Sequence, residues 1–155
     1  MKKIKIIPLI INAIIPLLIG GLSALIVGDN FGMFSSVQSA PLSPPASLFP
    51  VVWSILYILL GVSFYFVKNQ SDCNNEIITR VYILNLVLNF FWSIIFFNLR
   101  AYLSAFVWII LLVFSTILLI TEFYKCNKLA GLMNIPYLLW LLFASYLSLS
   151  VYLLN

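Results

Sequence analysis

The stretch PLSPPASLFPVVWSILYILLG, residues 41–61, decides how this chain is read. Its first part holds Pro41, Pro44 and Pro45. Each proline fixes φ and removes an amide donor, so the connector that carries them is stiff. From about Ser47 the residues turn apolar, and Phe49, Trp53, Tyr57, Leu60 and Phe64 follow at three- and four-residue steps. Those steps put them on one face of a helix. A rigid lid running into an aromatic helix face is what a pocket for a flat apolar molecule requires. Aromatic packing between membrane helices accounts for the same residues without a ligand, and these residues alone leave both readings open.

Outward from this stretch the chain stays apolar. Of its 155 residues 64% are hydrophobic and only 8% charged, too few charges for a soluble domain. Runs near twenty apolar residues recur, and at about 1.5 Å per residue such a run crosses a hydrocarbon core of about 30 Å. The period-2 alternation of a membrane barrel is absent. The prediction is an all-α integral membrane protein, one domain over residues 1–155. Its five transmembrane helices fall at about 4–27, 47–67, 78–97, 101–123 and 132–154, with a lid loop at 28–46.

Composition also excludes functions. There is no histidine, which removes histidine metal ligands, histidine general bases and a proximal-histidine haem site. No metal and no cofactor is expected. Asp29, Asp72, Glu76 and Glu122 all lie away from helix centres, whereas ion-coupled pumps ordinarily use an intramembrane carboxylate. The net charge of +4 comes from residues at membrane ends, so it is no signal for nucleic acid.

Lys2, Lys3 and Lys5 precede the first apolar run, as in a signal peptide. The run is long for one, and no small-x-small cleavage site closely follows it, so a retained helix is expected. Pro16 should kink this helix. Gly20, Ala24 and Gly28 form a row of small residues, suited to an internal helix contact or to a dimer seam. Loop 28–46 carries Phe31, Met33, Phe34 and Leu42, which a solvated loop would not want, so it should fold back over the helix ends. The polar segment KNQSDCNNE is short and makes the second and third helices antiparallel neighbours.

On the third helix Asn85, Asn89, Trp92 and Phe96 share a stripe. A carboxamide in hydrocarbon needs a partner, so the stripe faces protein or ligand. Interhelical bonding is favoured for Asn85; for Asn89 it competes evenly with ligand contact. Asn98, Leu99 and Arg100 make a tight turn into the fourth helix, where Trp108 faces lipid or packs. Pro136 and Tyr137 open the fifth helix, followed by Trp140, Phe143, Ala144 and Leu147. A bulky indole beside a small gap suits a docked ring or a neighbouring helix.

Lys2, Lys3, Lys5, Lys68, Arg80, Lys125 and Lys128 fall on one side of a five-span topology and Arg100 alone on the other. Positive residues stay inside, so the N-terminus is expected in the cytoplasm and the C-terminus and lid outside. Cys73 and Cys126 then lie in cytoplasmic loops, where a reducing compartment argues against a disulfide. Both read as incidental.

Three segments carry a resemblance to a known family. They are residues 41–61, LNLVLNFFWSIIFFNLR at 84–100, and KLAGLMNIPYLLWLLFASYLSL at 128–149. Pro44, Pro45, Phe49, Trp53, Tyr57 and Gly61 match the first signature. Asn85, Asn89, Trp92, Ser93, Phe96, Phe97 and Arg100 match the second. Pro136, Tyr137, Trp140, Phe143, Ala144 and Tyr146 match the third. In this order the chain resembles the translocator protein family, also called tryptophan-rich sensory proteins or peripheral-type benzodiazepine receptors.

The resemblance implies a cell-membrane five-helix bundle, usually a homodimer, with a pocket near one membrane face. It implies ligand positions Trp53, Asn89 and Trp140, surrounded by Tyr57, Trp92, Phe143, Ala144 and Leu147. The lid would include Phe34, Pro41, Pro44 and Pro45. The implied ligands are porphyrins such as protoporphyrin IX and benzodiazepine- or isoquinoline-type molecules. Light-dependent oxidative degradation of bound porphyrin is the leading implied activity. No conventional catalytic residue is present, and Trp53 and Trp140 are the candidate photo-redox groups. The alternative is a translocator of tetrapyrroles or other apolar metabolites without chemistry; a sensor acting through a partner ranks below both. Ser47, Trp108, Ser148 and Tyr152 depart from the family pattern. No lysine or arginine follows Lys128, so cholesterol is not an expected ligand.

Overall fold

The computed structural model describes residues 4–38, 42–71 and 73–155, with only the backbone at Met33 and Phe34. Lys2, Lys3, Pro41 and Asp72 therefore lie outside the described residues, as do the side chains of Met33 and Phe34. Two of the expected lid positions, Phe34 and Pro41, fall under that limit.

The described chain forms five helical spans long and apolar enough to cross a membrane. α1 is Ile6–Val27 and runs on into a 3-10 stretch, Gly28–Ser35. α2 is Leu48–Lys68. α3, Asn75–Ser93, is prolonged by a π turn at Ile94–Asn98. α4 is Tyr102–Cys126. The short α5, Lys128–Leu132, and the long α6, Ile135–Leu154, together make the fifth span.

Helix ends differ from the hydropathy boundaries where polar caps extend them. α3 starts at Asn75 rather than 78, because Asn74 accepts from the backbone N–H groups of Glu76 at 3.1 Å and Ile77 at 3.2 Å. Such an N-cap satisfies donors that the first turn leaves free. α4 continues past 123 to Cys126, and Lys125 in its last turn pairs with Glu122 at 2.6 Å. The fifth span opens at Lys128 instead of 132, because the Asn127 side chain accepts from the Ala130 N–H at 3.1 Å. Arg100 turns the chain from α3 into α4 with φ of 51°, a left-handed conformation uncommon for a residue with a side chain.

α1 and α2 meet where backbone can approach backbone. Pro16 has no N–H to offer the carbonyl four residues back, that of Asn12. A Cβ at Gly61 of α2 would fall 2.1 Å from that same Asn12 oxygen. Only glycine lets α2 lie this close. One level further along, a Cβ at Gly20 would fall 2.2 Å from the Tyr57 ring. The small-residue row of α1 thus makes an internal contact at Gly20. Gly28 does something else: with φ of 53° it turns the chain out of α1.

The connector folds back in part. Phe31 packs on Phe97 with ring centroids 4.7 Å apart, and Val37 packs on the core. Leu42 does not follow; it is 72% exposed, in the turn just before the double proline, whose stiffness carries it away from the bundle. The Gln38 N–H donates to Asn155 Oδ1 at 3.1 Å, and Asn155 Nδ2 donates to the Gln38 carbonyl at 3.0 Å. These bonds set the connector and the end of α6 on the same face of the bundle.

The opposite face corrects the reading of the cysteines. Cys73 and Cys126 are joined as a disulfide, with Cα atoms 5.7 Å apart. The loop after α2 and the last turn of α4 converge to the spacing a disulfide requires. That proximity is a tertiary property, invisible in the 53-residue separation of the two cysteines.

Candidate functional site

The inward stripe of α3 is buried from Asn85 to Phe96. It anchors a ladder of hydrogen bonds that crosses the bundle. Tyr57 on α2 donates its hydroxyl to Asn89 Oδ1 at 2.9 Å. Asn89 Nδ2 donates to the Tyr137 hydroxyl on α6 at 2.7 Å. Tyr137 in turn donates to Asn85 Oδ1 at 3.0 Å. Asn85 Nδ2 donates to Thr116 Oγ1 on α4 at 2.8 Å, and Thr116 donates to the Leu112 carbonyl at 2.8 Å. Each member supplies what its neighbour lacks, which is how polar groups persist in a low-dielectric interior. Asn89 is engaged at both oxygen and nitrogen. It does not line the cleft described next.

That cleft lies between α1, α2 and the far end of α3, and holds about 210 Å³. α2 contributes Phe49, Pro50, Trp53 and Tyr57, at positions that the helical repeat sets on one side. α1 contributes Leu17, Gly20, Gly21 and Ala24. The π turn decides the third wall. One extra residue in the turn shifts the register, so the adjacent side chains Phe96 and Phe97 are both buried. Trp92 stacks on Phe96 at 5.5 Å and meets Phe97 edge-on at 6.4 Å. Trp92 and Phe97 both line the cleft.

Trp53 sits among other rings: Tyr57 at 5.4 Å, Trp92 at 6.2 Å and the edge of Tyr137 at 6.2 Å. The cleft adjoins two smaller spaces. One, of about 170 Å³, lies under the connector and is bounded by Phe31, Ala46, Phe49 and Phe97. The other, of about 10 Å³, lies where Trp92 meets Ala144, Leu147 and Ser148 of α6.

The expected site residues therefore separate into groups. Trp53, Tyr57 and Trp92 line the main cleft, and Ala144 and Leu147 line the smallest space. Trp140 and Phe143 line none of the three. Trp140 is edge-on to Phe49 at 5.8 Å and tilted on Phe143 at 5.6 Å, so it reaches the cleft only through Phe49. Trp53 and Trp140 are not brought into ring contact. Pro44 is half-buried and Pro45 exposed, and neither lines any of these three spaces; Phe31 and Ala46 supply the cover instead. Trp108, left between lipid and packing, donates its indole N–H to the Leu88 carbonyl at 2.8 Å. Sequence reasoning missed the whole α1 wall and Phe97. The small residues of α1 were the available signal, but they also fit a plain helix contact.

Among the described residues no three His, Cys, Asp or Glu gather as a metal site would require. The walls offer ring faces, small residues and few polar atoms, a combination suited to binding a flat apolar molecule rather than to acid–base chemistry. Fold and cleft together define a polytopic helical membrane protein with an aromatic-lined cleft inside its bundle. The chain belongs to the TspO/MBR family, which matches residues 12–153. It is similar to the tryptophan-rich protein TspO of Archaeoglobus fulgidus, 38% identical over 122 residues that cover 79% of each chain. The protein of the same name from Chlorobaculum tepidum is 37% identical over 124 residues, 79% of this chain and 78% of that one. Protein CrtK of Rhodobacter capsulatus is 32% identical over 124 residues, again 79% and 78%.

Proposed function

We propose that this protein is a receptor-like membrane protein whose cleft holds a porphyrin, with protoporphyrin IX as the reference ligand, and accepts benzodiazepine- and isoquinoline-type molecules. One observation carries the reading. The Trp53 indole stands in the wall of a mostly apolar cleft whose α1 side carries Leu17 and the small residues Gly20, Gly21, Ser23 and Ala24. Rings on one side and small residues on the other leave a slot for a flat molecule. Ligand pockets run from about 300 to 1,000 Å³, so a macrocycle also needs the adjoining 170 Å³ under the connector. The test is titration of purified protein with protoporphyrin IX, followed by quenching of tryptophan fluorescence. Saturable quenching that weakens in Trp53→Leu supports the site; unchanged quenching removes it.

The activity proposed for the bound porphyrin is light-dependent oxidative loss. The excited macrocycle passes its energy to dioxygen, which adds both oxygen atoms across a methine double bond and opens the ring. The protein's part is to position the ligand and restrict access, since the hard chemistry belongs to the ligand. That step draws no electron from the protein; Trp53, at the cleft, and Trp140, behind Phe49, are the candidate photo-redox groups of a parallel route, in which an indole gives one electron to the excited macrocycle and dioxygen takes it on as superoxide. Illumination of the complex, with products followed by absorbance and mass, tests this.

The alternative reading is translocation of the intact ligand. What favours it is that α1 forms one wall and is the least buried of the five spans. A ligand leaving past α1 meets lipid without a polar barrier. Flux into proteoliposomes in darkness, with ligand recovered intact, selects this reading; product formed only under light selects the first.

In the proposed topology the protein lies in the cell membrane with its N-terminus in the cytoplasm, because basic residues concentrate on that side. The Cys73–Cys126 disulfide lies there too, and in the cytosol such pairs are redox-sensing or transient. A reporter fused after Asn155 that is active only outside the cytoplasm supports the topology. The proposed assembly is a homodimer, to be tested by crosslinking in native membranes.

A further inference from the structure

Hydroxyl groups on these helices usually bond to their own backbone. Ser54, Ser63, Ser145 and Ser150 each donate to a carbonyl three or four residues back. This is the ordinary outlet for serine in a helix buried in hydrocarbon. Ser148 departs from it. Its side chain is 1% exposed and its Oγ has no hydrogen-bond partner among the described residues. Trp92 presents the same anomaly. It is 4% exposed and its Nε1 is unpartnered, whereas the Trp108 indole finds a carbonyl.

The two anomalies meet in one place. Ser148 and Trp92 both line the smallest space beside the cleft, about 10 Å³ in volume. Trp92, Phe49 and Phe97 also line the main cleft, so the two spaces share a wall. A volume of this order holds about one oxygen atom or one water. An indole N–H only donates, and a serine hydroxyl can donate as well. Two buried donors beside an apolar slot complement an acceptor.

We infer that this space is an acceptor subsite, in which Trp92 Nε1 and Ser148 Oγ take a carbonyl or carboxylate oxygen projecting from a flat ligand in the cleft. The inference rests on reading the cleft as the ligand site, and it adds a requirement: the preferred ligand is not purely hydrocarbon at its rim. Unmet donors in hydrocarbon are unfavourable, so an oxygen bound here answers two groups that the bare protein leaves unpartnered. Ser148 and Trp92 act here as specificity residues and not as chemical participants.

The test uses the full-length protein in nanodiscs and two porphyrins of the same ring size. Mesoporphyrin IX carries propionate groups; etioporphyrin I carries only alkyl groups. Ser148→Ala should weaken mesoporphyrin binding roughly tenfold, the order of one hydrogen bond to a charged group. It should leave etioporphyrin affinity within about twofold, since no bond to that ligand is lost. Trp92→Phe should reduce the preference for mesoporphyrin over etioporphyrin in the same direction. The melting temperature of ligand-free Ser148→Ala should stay unchanged or rise, because the hydroxyl bonds nothing in the protein. A fall would reveal a resident water as the true partner and overturn the subsite. Binding of both porphyrins with no change in Ser148→Ala also overturns it, while leaving the cleft intact as a ligand site. Failure of both porphyrins to bind the wild-type protein overturns the cleft reading, and the subsite with it; binding of etioporphyrin as tight as that of mesoporphyrin overturns the subsite alone.

Discussion

Two neighbouring regions share Tyr57 and are built on opposite rules. The ladder from Tyr57 through Asn89, Tyr137 and Asn85 to Thr116 is closed, each polar group answered by the next. The cleft beyond Tyr57 is open and mostly apolar; Ser54 in its wall bonds its own backbone, while the Trp92 N–H has no partner among the described residues. A saturated network holds helices in register and has nothing left to offer a ligand. A cleft that keeps one indole N–H unanswered still has a donor to offer. On the proposed reading Asn89 belongs to the scaffold and Trp53 to the site, with the Tyr57 ring between them.

The separation predicts that stability and ligand affinity respond to different residues. The largest effect should come from Gly61→Leu. A side chain there collides with the Asn12 backbone, and overpacking of this kind costs about 3 kcal/mol or more. Thermal unfolding in detergent should show a large drop, and ligand binding should vanish because α1 no longer seats on α2. Normal unfolding in this variant would mean that α1 adjusts freely and that the cleft wall is soft.

Next in size is loss of the Cys73–Cys126 bond, by reduction or by Cys73→Ser. The disulfide closes a sequence separation of 53 residues, and chain entropy gives about 2–4 kcal/mol for such a link. It lies on the face opposite the connector, so the melting temperature should fall while porphyrin affinity stays the same. A parallel loss of affinity would erase the proposed independence of scaffold and cleft.

A smaller loss should follow Asn89→Leu, which strips the Tyr57 hydroxyl of its acceptor. Interhelical hydrogen bonds in membranes contribute about 0.6 kcal/mol on average and up to about 1.7. The expected result is a destabilisation of about 1–2 kcal/mol, at the upper end because the Tyr57 donor is left bare. Affinity should change by no more than about twofold, the scale of a minor readjustment rather than a lost bond. Equilibrium unfolding and fluorescence titration on the same samples separate the two quantities. The smallest effect on stability, under about 1 kcal/mol, should come from Trp53→Phe, which keeps an aromatic ring in place. That variant should instead slow light-driven porphyrin loss, measured by absorbance decay under fixed illumination.

Local properties of the chain settled a good part of this. Hydropathy placed the five spans, because crossing hydrocarbon is a matter of length and apolar content that each segment satisfies alone. Periodicity placed Asn85, Asn89, Trp92 and Phe96 on one stripe, because three- and four-residue steps share a helix face whatever surrounds it. The stretch at 41–61 put Trp53 and Tyr57 side by side for the same reason. Which polar atom answers which was beyond that reach. Asn89 finds Tyr57 and Tyr137, Cys73 finds Cys126, and Trp140 ends behind Phe49 instead of beside Trp53, all through the depth and rotation of helices relative to one another. Those two quantities are set by contacts such as Gly61 on Asn12 and by the one-residue shift of the π turn. They are properties of the assembled bundle, so only the tertiary structure could separate the bonded ladder from the open cleft.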